Sequence, residues 1–394
     1  MAQKSLRAGL VGTGFAAAFH YEALRRVTGV KVEVAGVYAI DREMARAFGT
    51  QRELRVFDSL EALMEASDVV HVLVPPSAHE QVTVAALAKD KHVIVEKPLT
   101  GYFGDGSESF RGDTCSKQAA LDHALASTDR ILQAEKRSKG RLFYAENWVY
   151  MPAVQKEREI VEKTGAQILW IHGEQAHSGS HAKTYAYWKF SGGGVMIGKG
   201  CHPLSAALYL KRVEGLTRNG KAIRPAAVTA RTHAITRQKA FRDEGHIRAD
   251  YYDIDDFAMM HVTFEDGMIA TIVASDIVMG GIHNALEVVA NNHRTICNVN
   301  PTNAMATYNP VGAQFKDIHI VEKIGTKEGW SNPAADEAST SGYPQELEDF
   351  YRCAADDRPP QSDSGLAADC IVTIYSAYLS DERKGAEVEV KRLG

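Results

Sequence analysis

Two segments of this chain carry residues arranged for chemistry. In the first, Gly12, Gly14 and Ala17 follow the apolar run 8–11 and lead into a helix-like stretch, 17–26. Strand, glycine turn and helix in that order make a dinucleotide fingerprint. Gly12 permits the tight turn, Gly14 lets backbone N–H groups approach a pyrophosphate, and Ala17 lets the helix pack close with its N-terminus toward the phosphates. Alone the motif is weak. It gains force from Glu96-Lys97-Pro98, which follows the strand-like run 92–95 at the distance expected for a later βα unit of the same sheet. Ligands of open parallel sheets bind outside the carboxyl ends of the strands, and Lys97 stands just past one. Were the dinucleotide one that takes hydride from an alcohol carbon, the hydroxyl proton would have to be lost as well. A lysine whose ammonium is disfavoured by partial burial and by a positive nicotinamide can accept it. Lys97 is therefore the first candidate acid/base, with anchoring of the sheet through Glu96 or of a phosphate as the structural alternative. In the second segment, Gly192-Gly193-Gly194 leads to Gly200 and His202. That histidine is placed to hydrogen-bond the same hydroxyl from the opposite wall or to relay its proton.

The elements that must hold these groups are legible from periodicity. Apolar β-branched runs at 32–38, 69–74 and 93–95 alternate with helical patterns at 42–48, 59–66 and 79–88, which reads as successive βα units and a parallel sheet covered on both faces. Between 100 and 117 the pattern breaks into a glycine- and serine-rich excursion before a long helix, 118–138, and 141–145 closes the sheet. The remainder has another texture. Runs 257–264, 268–274 and 286–290, the first two joined by Glu265-Asp266-Gly267, predict a hairpin and further antiparallel strands. Helical stretches at 153–162, 202–210, 346–355 and 367–380 flank them, giving an α+β second domain.

Composition bounds the function. With 394 residues, two domains are expected, divided as 1–146 and 147–394. A net charge of −5 with both signs interspersed offers no basic face for nucleic acid and no polybasic membrane patch. No apolar run approaches the roughly 18 residues of a membrane span. Lys4 and Arg7 before the run 8–19 imitate a short signal peptide, but the glycines there belong to the nucleotide turn. The five cysteines are scattered without a CxxC pair, which argues against a disulfide framework or a zinc site and fits a reducing cytoplasm. No tight metal spacing such as HExxH is present, so no metal is expected.

The ordered motifs Gly12-x-Gly14-x-x-Ala17, residues 72–79 (Val-Leu-Val-Pro-Pro-Ser-Ala-His), Glu96-Lys97-Pro98, and Gly192-Gly193-Gly194 leading to Gly200-x-His202 resemble the Gfo/Idh/MocA oxidoreductases. The likeness extends to Gly342-Tyr343-Pro344-Gln345-Glu346-Leu347 near the end. It implies an N-terminal Rossmann doubly wound parallel sheet, and a C-terminal α/β domain with a large, mostly antiparallel sheet. It also implies a nicotinamide cofactor, and sugars, inositols or their derivatives as substrates. On that resemblance Gly12, Gly14, Phe15, Ala17, Asp41, Pro75, Pro76, His79 and Glu96 are expected to bind NAD.

Two departures from the family pattern stand out. Members often carry an aspartate four residues before the histidine and another three after it, where this chain has Gly198 and Ser205. The carboxylate that would orient His202 is missing locally, while Lys199 adds a cation, either a donor for an acidic sugar or a solvent-facing side chain. At the end of the second strand Ala39 replaces the usual ribose-binding acid; Asp41 two residues on either reaches the ribose or caps the helix that begins at Arg42. NAD is favoured over NADP. Trp148, Tyr150, His177, His181, Tyr185 and Trp188, with Ser178 and Ser180, offer the aromatic faces and hydroxyls of a carbohydrate wall, against the ordinary reading of aromatics as core. Asp255 and Asp256 read as turn carboxylates.

These observations predict an NAD(H)-dependent dehydrogenase or reductase acting on a secondary hydroxyl of a sugar, glycoside or cyclitol. The alternatives are a glycoside-processing enzyme that uses transient oxidation by a retained NAD, and a non-catalytic dinucleotide sensor. Apolar residues at successive positions of 257–264 and 268–273 predict a sheet apolar on both faces, and hence a homodimer or homotetramer.

Overall fold

The computed structural model describes residues 4–393. Its first sheet holds five parallel strands, β1 (Ser5–Val11), β2 (Lys31–Tyr38), β3 (Val69–Val72), β4 (His92–Glu96) and β5 (Leu142–Ala145), in the spatial order β2-β1-β3-β4-β5. β3 and β5 are buried along their whole length. Near-continuous apolar runs are what a sheet covered on both faces requires. The cover comes from the crossover helices α1 (Phe15–Leu24), α2 (Arg42–Arg52), α3 (Leu60–Ala66), α4 (His79–Leu87) and α5 (Lys117–Arg137). A single parallel bridge from Val37 to Val56 adds a vestigial strand outside β2. Counting it, the order becomes that of a dinucleotide-binding fold, and the strand order reverses its direction of winding between β1 and β3, where a ligand crevice opens.

The second half begins with α6 (Asn147–Tyr150) and α7 (Pro152–Thr164) and then enters β6 (Ile168–Ala176). Short helices α8 (Trp188–Ser191) and α9 (Val195–Gly198) precede the long α10 (Cys201–Asn219). There follow β7 (Pro225–His233), β8 (Phe257–Phe264), β9 (Ile269–Ser275), β10 (His283–Ala290) and β11 (Arg294–Cys297). A two-stranded pair, β12 (Thr307–Asn309) and β13 (Gly329–Ser331), leads to α11 (Glu337–Thr340), α12 (Tyr343–Asp356), α13 (Ser364–Glu382) and β14 (Val388–Glu389). The large sheet runs β11-β10-β6-β9-β8-β7-β14 and is antiparallel except where β6 pairs with β9. The predicted hairpin is β8–β9, and β6 and β7 are strands that the apolar pattern did not announce.

Strand parity corrects the expectation of two apolar faces. Ala258, Met260, Val262 and Phe264 of β8 are buried on the side covered by α10 and α13. The opposite face carries Phe257 and a 46 % exposed Met259, but also His261, Thr263 and, on β9, Thr271. It is mixed, not apolar.

The halves are sewn together by segments that cross between them. α12 packs on α1 and β1, and Phe350 stacks on Phe143 of β5 with ring centroids 5.3 Å apart; burying such a ring contributes about 1.5–3 kcal/mol. The 100–117 excursion crosses the other way: Gly112 N–H donates to Asp253 Oδ2 at 2.7 Å, and Trp188 Nε1 donates to Tyr102 O at 2.9 Å.

Candidate active site

α1 starts at Phe15 with Gly14 as its N-cap, and no side chain caps it; Ala17 N–H turns back to Gly14 O at 3.1 Å, and the N–H groups of Phe15 and Ala16 are left for a ligand. Gly12 sits at φ +115°, and a Cβ there would stand 2.3 Å from the carbonyl oxygen of Leu73, so this turn requires glycine. At Gly14 nothing lies within 4 Å of a built Cβ. The open space is a cradle that suits a pyrophosphate. Phe15, 66 % exposed, and Ile40, 88 % exposed, add the apolar surface expected beside a dinucleotide. Asp41 Oδ1 accepts from the N–H groups of Glu43 and Met44, both at 3.0 Å, so the cap on α2 is real and only Oδ2 is left for a ribose.

His79 corrects its predicted role. It is buried, with Nδ1 2.8 Å from Pro98 O and Nε2 2.9 Å from Val74 O. It ties the loop after β3, where Pro75 and Pro76 lie, to the loop after β4, and presents no ring nitrogen to the cradle.

Lys97 leaves the end of β4, and its Nζ donates to Gly198 O at 3.1 Å, linking the first half to the turn before His202. Glu96 Oε2 accepts from the backbone N–H of Lys97 at 3.1 Å, and Oε1 lies 3.0 Å from His20 Nε2. Behind it runs a buried chain. His20 Nδ1 is 2.9 Å from His71 Nδ1, and His71 Nε2 is 2.8 Å from the hydroxyl of Tyr351 on α12. One assignment of protons satisfies every member: Tyr351 O–H donates to His71 Nε2, His71 Nδ1–H to His20 Nδ1, and His20 Nε2–H to Glu96. Burial, the largest single influence, would raise the Glu96 carboxyl, but the bond from His20 together with the neighbouring His20, Lys97 and His79 holds the group below its ordinary range.

The triple glycine is organised by Asp255. Gly192 and Gly193 have φ of +77° and +154°, and a Cβ on Gly194 would stand 2.2 Å from Asp255 O. The Asp255 carboxylate accepts from Gly194 N and Met196 N, each at 3.1 Å, and from the Tyr378 hydroxyl at 3.0 Å; burial pushes it up to about 6. This fixes α9 and the start of α10.

His202 receives its carboxylate from an unexpected place. Nδ1 lies 2.6 Å from Oε1 of Glu146, which closes β5, and the ring stacks on Trp148 at 6.2 Å. Burial and then the nearby Lys97 depress the imidazole, against the opposing pull of Glu146. The neutral ring donates Nδ1–H to Glu146 and keeps Nε2 as an acceptor for the cleft. Cys201 completes a trio with Glu146 and His202 whose candidate ligand atoms lie within 4.8 Å of one another. Burial pushes the Cys201 thiol up to about 12, and the Glu146–His202 bond fills the place of an ion.

Both candidate catalytic residues line a cleft of about 560 Å³, together with Phe15, Trp148, His177, His181, Lys199 and Tyr343. His177 Nδ1 accepts from Gly179 N–H at 2.9 Å, and burial with the neighbouring Lys199 keeps it neutral, so its Nε2–H is a donor. Lys199 is not a free cation: its Nζ is 2.5 Å from Asp276 Oδ1, both buried, while Tyr251 O–H donates to Asp276 Oδ2 at 2.6 Å. Two predicted substrate residues are core instead. The Tyr150 hydroxyl donates to Asp349 Oδ2 at 3.0 Å and accepts from Ser362 N. Trp188 is buried against Tyr378 with centroids 4.9 Å apart and pins the 100–117 excursion.

A parallel sheet with an open glycine cradle, joined to a large mixed sheet whose glycine turn carries a carboxylate-bound histidine, defines a dinucleotide-dependent oxidoreductase architecture. The oxidoreductase family profile with an NAD-binding Rossmann fold matches residues 6–111, and the Gfo/Idh/MocA C-terminal domain matches residues 158–294. The chain belongs to the Gfo/Idh/MocA family. It is similar to UDP-N-acetylglucosamine 3-dehydrogenase of Acidithiobacillus ferrooxidans, at 30 % identity over 24 % of this chain and 29 % of that protein. It is also similar to glucose-6-phosphate 3-dehydrogenase of Bacillus subtilis, at 33 % identity over 23 % of this chain and 25 % of that protein. The match thus spans less than a third of either curated relative. The crystal structure of GenD2 from gentamicin A biosynthesis in complex with NAD shares the fold, with TM-score 0.76 and 21 % identity, covering 99 % of this chain and 98 % of that one.

Proposed function

We propose that this protein is an NAD(H)-dependent dehydrogenase or reductase acting on a secondary hydroxyl of a sugar or cyclitol. Residues 1–146 would hold the nucleotide and 147–394 the substrate. The observation that carries the reading is the meeting of Lys97 and the Glu146–His202 pair in one cleft beside the uncapped start of α1. Bound NAD supplies the hydride acceptor. Lys97, whose ammonium already donates to Gly198 O, donates to the substrate oxygen as negative charge builds there. His202 Nε2 accepts the hydroxyl proton, and the imidazolium that forms is stabilised by Glu146. In the reductive direction the same two groups return the proton, so acid/base duty is shared between Lys97 and His202. His177 Nε2–H suits a second hydroxyl. The names of the relatives support sugars as the substrate class. A sensor would need neither Lys97 nor the Glu146–His202 pair, which favours chemistry. A reducing cytoplasm suits the five free thiols. The test is nicotinamide absorbance on mixing the purified protein, NAD and a panel of sugars and inositols. No change with any member, given proven NAD binding, would overturn the reading.

A further inference from the structure

The cleft does not end at the reacting groups. Ser180, His181 and Lys323 also line an adjoining cavity of about 430 Å³, whose other walls include Lys183, His246 and Arg248. Its basic groups differ in what they are free to do. The Arg248 guanidinium is committed: Nε is 2.5 Å from Asp250 Oδ1, and Nη1 donates to Ser180 O at 2.9 Å and Ala182 O at 2.7 Å. Arg248 therefore builds the wall and neutralises Asp250. Lys183 and Lys323, by contrast, have no hydrogen-bond or ion-pair partner for their ammonium groups among the described residues. His181 and His246 likewise keep both ring nitrogens unengaged. Most nearby carboxylates are already paired: Asp276 with Lys199, and Glu337 with His319 at 2.6 Å. Glu322, half-buried, is raised by burial and by Glu337, which disfavours its charge. Lys323 is half-buried: burial, with Lys199 and Arg248, depresses its ammonium, while Glu322 and Asp276 favour its charge without closing an ion pair with it. Two unpaired cations and two unengaged imidazoles around a cavity that opens into the cleft make a setting that an anion completes.

We propose that this annex receives an anionic arm of the substrate, a phosphate or a carboxylate, while the reacting hydroxyl lies at Lys97 and His202. The assignment rests on the dehydrogenase reading for the position of the hydroxyl, but not for the existence of the anion site. It replaces Lys199, which Asp276 neutralises, with Lys323 and Lys183 as the charge that selects the substrate.

Two measurements separate the claims. Calorimetry of inorganic phosphate on the NAD-loaded protein is compared for wild type, Lys323→Gln and Lys183→Gln, each checked for native circular dichroism. Initial rates are then taken with D-glucose, D-glucose 6-phosphate and D-glucuronate. Phosphate should bind the wild type and bind Lys323→Gln about tenfold more weakly, as for loss of one charged hydrogen bond. KM for the preferred anionic sugar should rise by about the same factor with kcat kept, while kinetics with glucose stay unchanged. A preference for glucose 6-phosphate assigns a phosphate arm, and one for glucuronate a carboxylate arm. Phosphate that fails to bind, or binds both variants as well as wild type, overturns the proposal, as does a wild type that oxidises glucose as readily as both anionic sugars. Lys323-dependent phosphate binding with no turnover of these sugars or of any member of the sugar and inositol panel would leave the anion site standing and sink the dehydrogenase reading instead.

Discussion

His202 Nδ1 and Glu146 Oε1 lie 2.6 Å apart, joining the start of α10 to the end of β5 across the two halves of the chain. One helical turn before this histidine, where the family resemblance implies an aspartate, stands Gly198. A Cβ at Gly198 would stand 1.9 Å from the Tyr185 hydroxyl, so no side chain fits without displacing that ring. The carboxylate on His202 comes from the end of β5 and not from the turn that carries the histidine.

That placement makes Glu146→Gln informative. The amide oxygen of the introduced glutamine can still accept from Nδ1–H but cannot stabilise an imidazolium, so kcat should fall about 10²-fold with NAD affinity retained. The pH–rate profile should shift as well. A profile superimposable on wild type would remove Glu146 from the proton path.

Lys97→Ala should lower kcat by about 10²- to 10⁴-fold, because it removes the donor to the substrate oxygen. Dinucleotide binding should be nearly intact, since the lysine contacts Gly198 and not the glycine cradle. Activity within a few-fold of wild type would rule the residue out of the chemistry.

The two fingerprint glycines should fail in different ways. Gly14→Val meets no protein atom within 4 Å of its Cβ, so the variant should fold normally and lose NAD binding as its branched side chain fills the cradle. Gly12→Ala drives a methyl onto Leu73 O at φ +115°, so its thermal midpoint should drop too. Undiminished NAD affinity in a folded Gly14→Val protein, measured by calorimetry, would refute the cradle.

Stability should depend on buried histidines. His71 and His202 are each held below the ordinary 6.5 by burial first. Below pH 6.5 the unfolded chain binds protons that these native side chains refuse, so their stabilisation is present above that pH and is lost as pH falls. Each adds a slope of about 1.4 kcal/mol per pH unit until its own native value is reached. Urea midpoints should therefore decline from about pH 7.5 to about pH 5.5, and a flat series would contradict the neutral assignment.

The outer face of the large sheet carries Met259, Ile269, Val273 and an Ile296 that is 70 % exposed, interleaved with threonine and histidine. Such a mixed face suits a wetter, partly polar contact between copies, as a homodimer or a homotetramer built of such dimers. Light scattering at micromolar concentration should return a multiple of 43.1 kDa, and Met259→Lys should shift it toward the monomer. A monomer mass for the unmutated protein would end this expectation.

What the sequence revealed and what it hid have the same physical origin. Elements fixed by local pattern were legible: 257–264 coincides with β8, and 118–138 is one residue from α5. β6 was not, because His172 and Glu174 on its outer face dilute the apolar pattern. Lys97 and His202 were legible because local marks flank each: Lys97 stands between the end of a strand and Pro98, and His202 follows a glycine-rich turn. Glu146 and Asp276 were hidden because their partners, His202 and Lys199, are supplied by distant folding and leave no local spacing to read. Trp188 and Tyr150 misled for the opposite reason, since an aromatic near a site is as useful for pinning a loop as for facing a sugar.

The hydrogen-bond chain from Tyr351 through His71 and His20 to Glu96 sets an order of events during synthesis. A ribosome-bound chain that has emerged as far as residue 340 already contains all five strands of the first sheet. Yet His71 Nε2 then lacks its phenol, and Phe143 lacks the ring of Phe350. Early domains commonly fold as they emerge. Here the buried polar chain behind Glu96 and the packing of β5 are completed by a helix that leaves the ribosome only after the whole first sheet and most of the second.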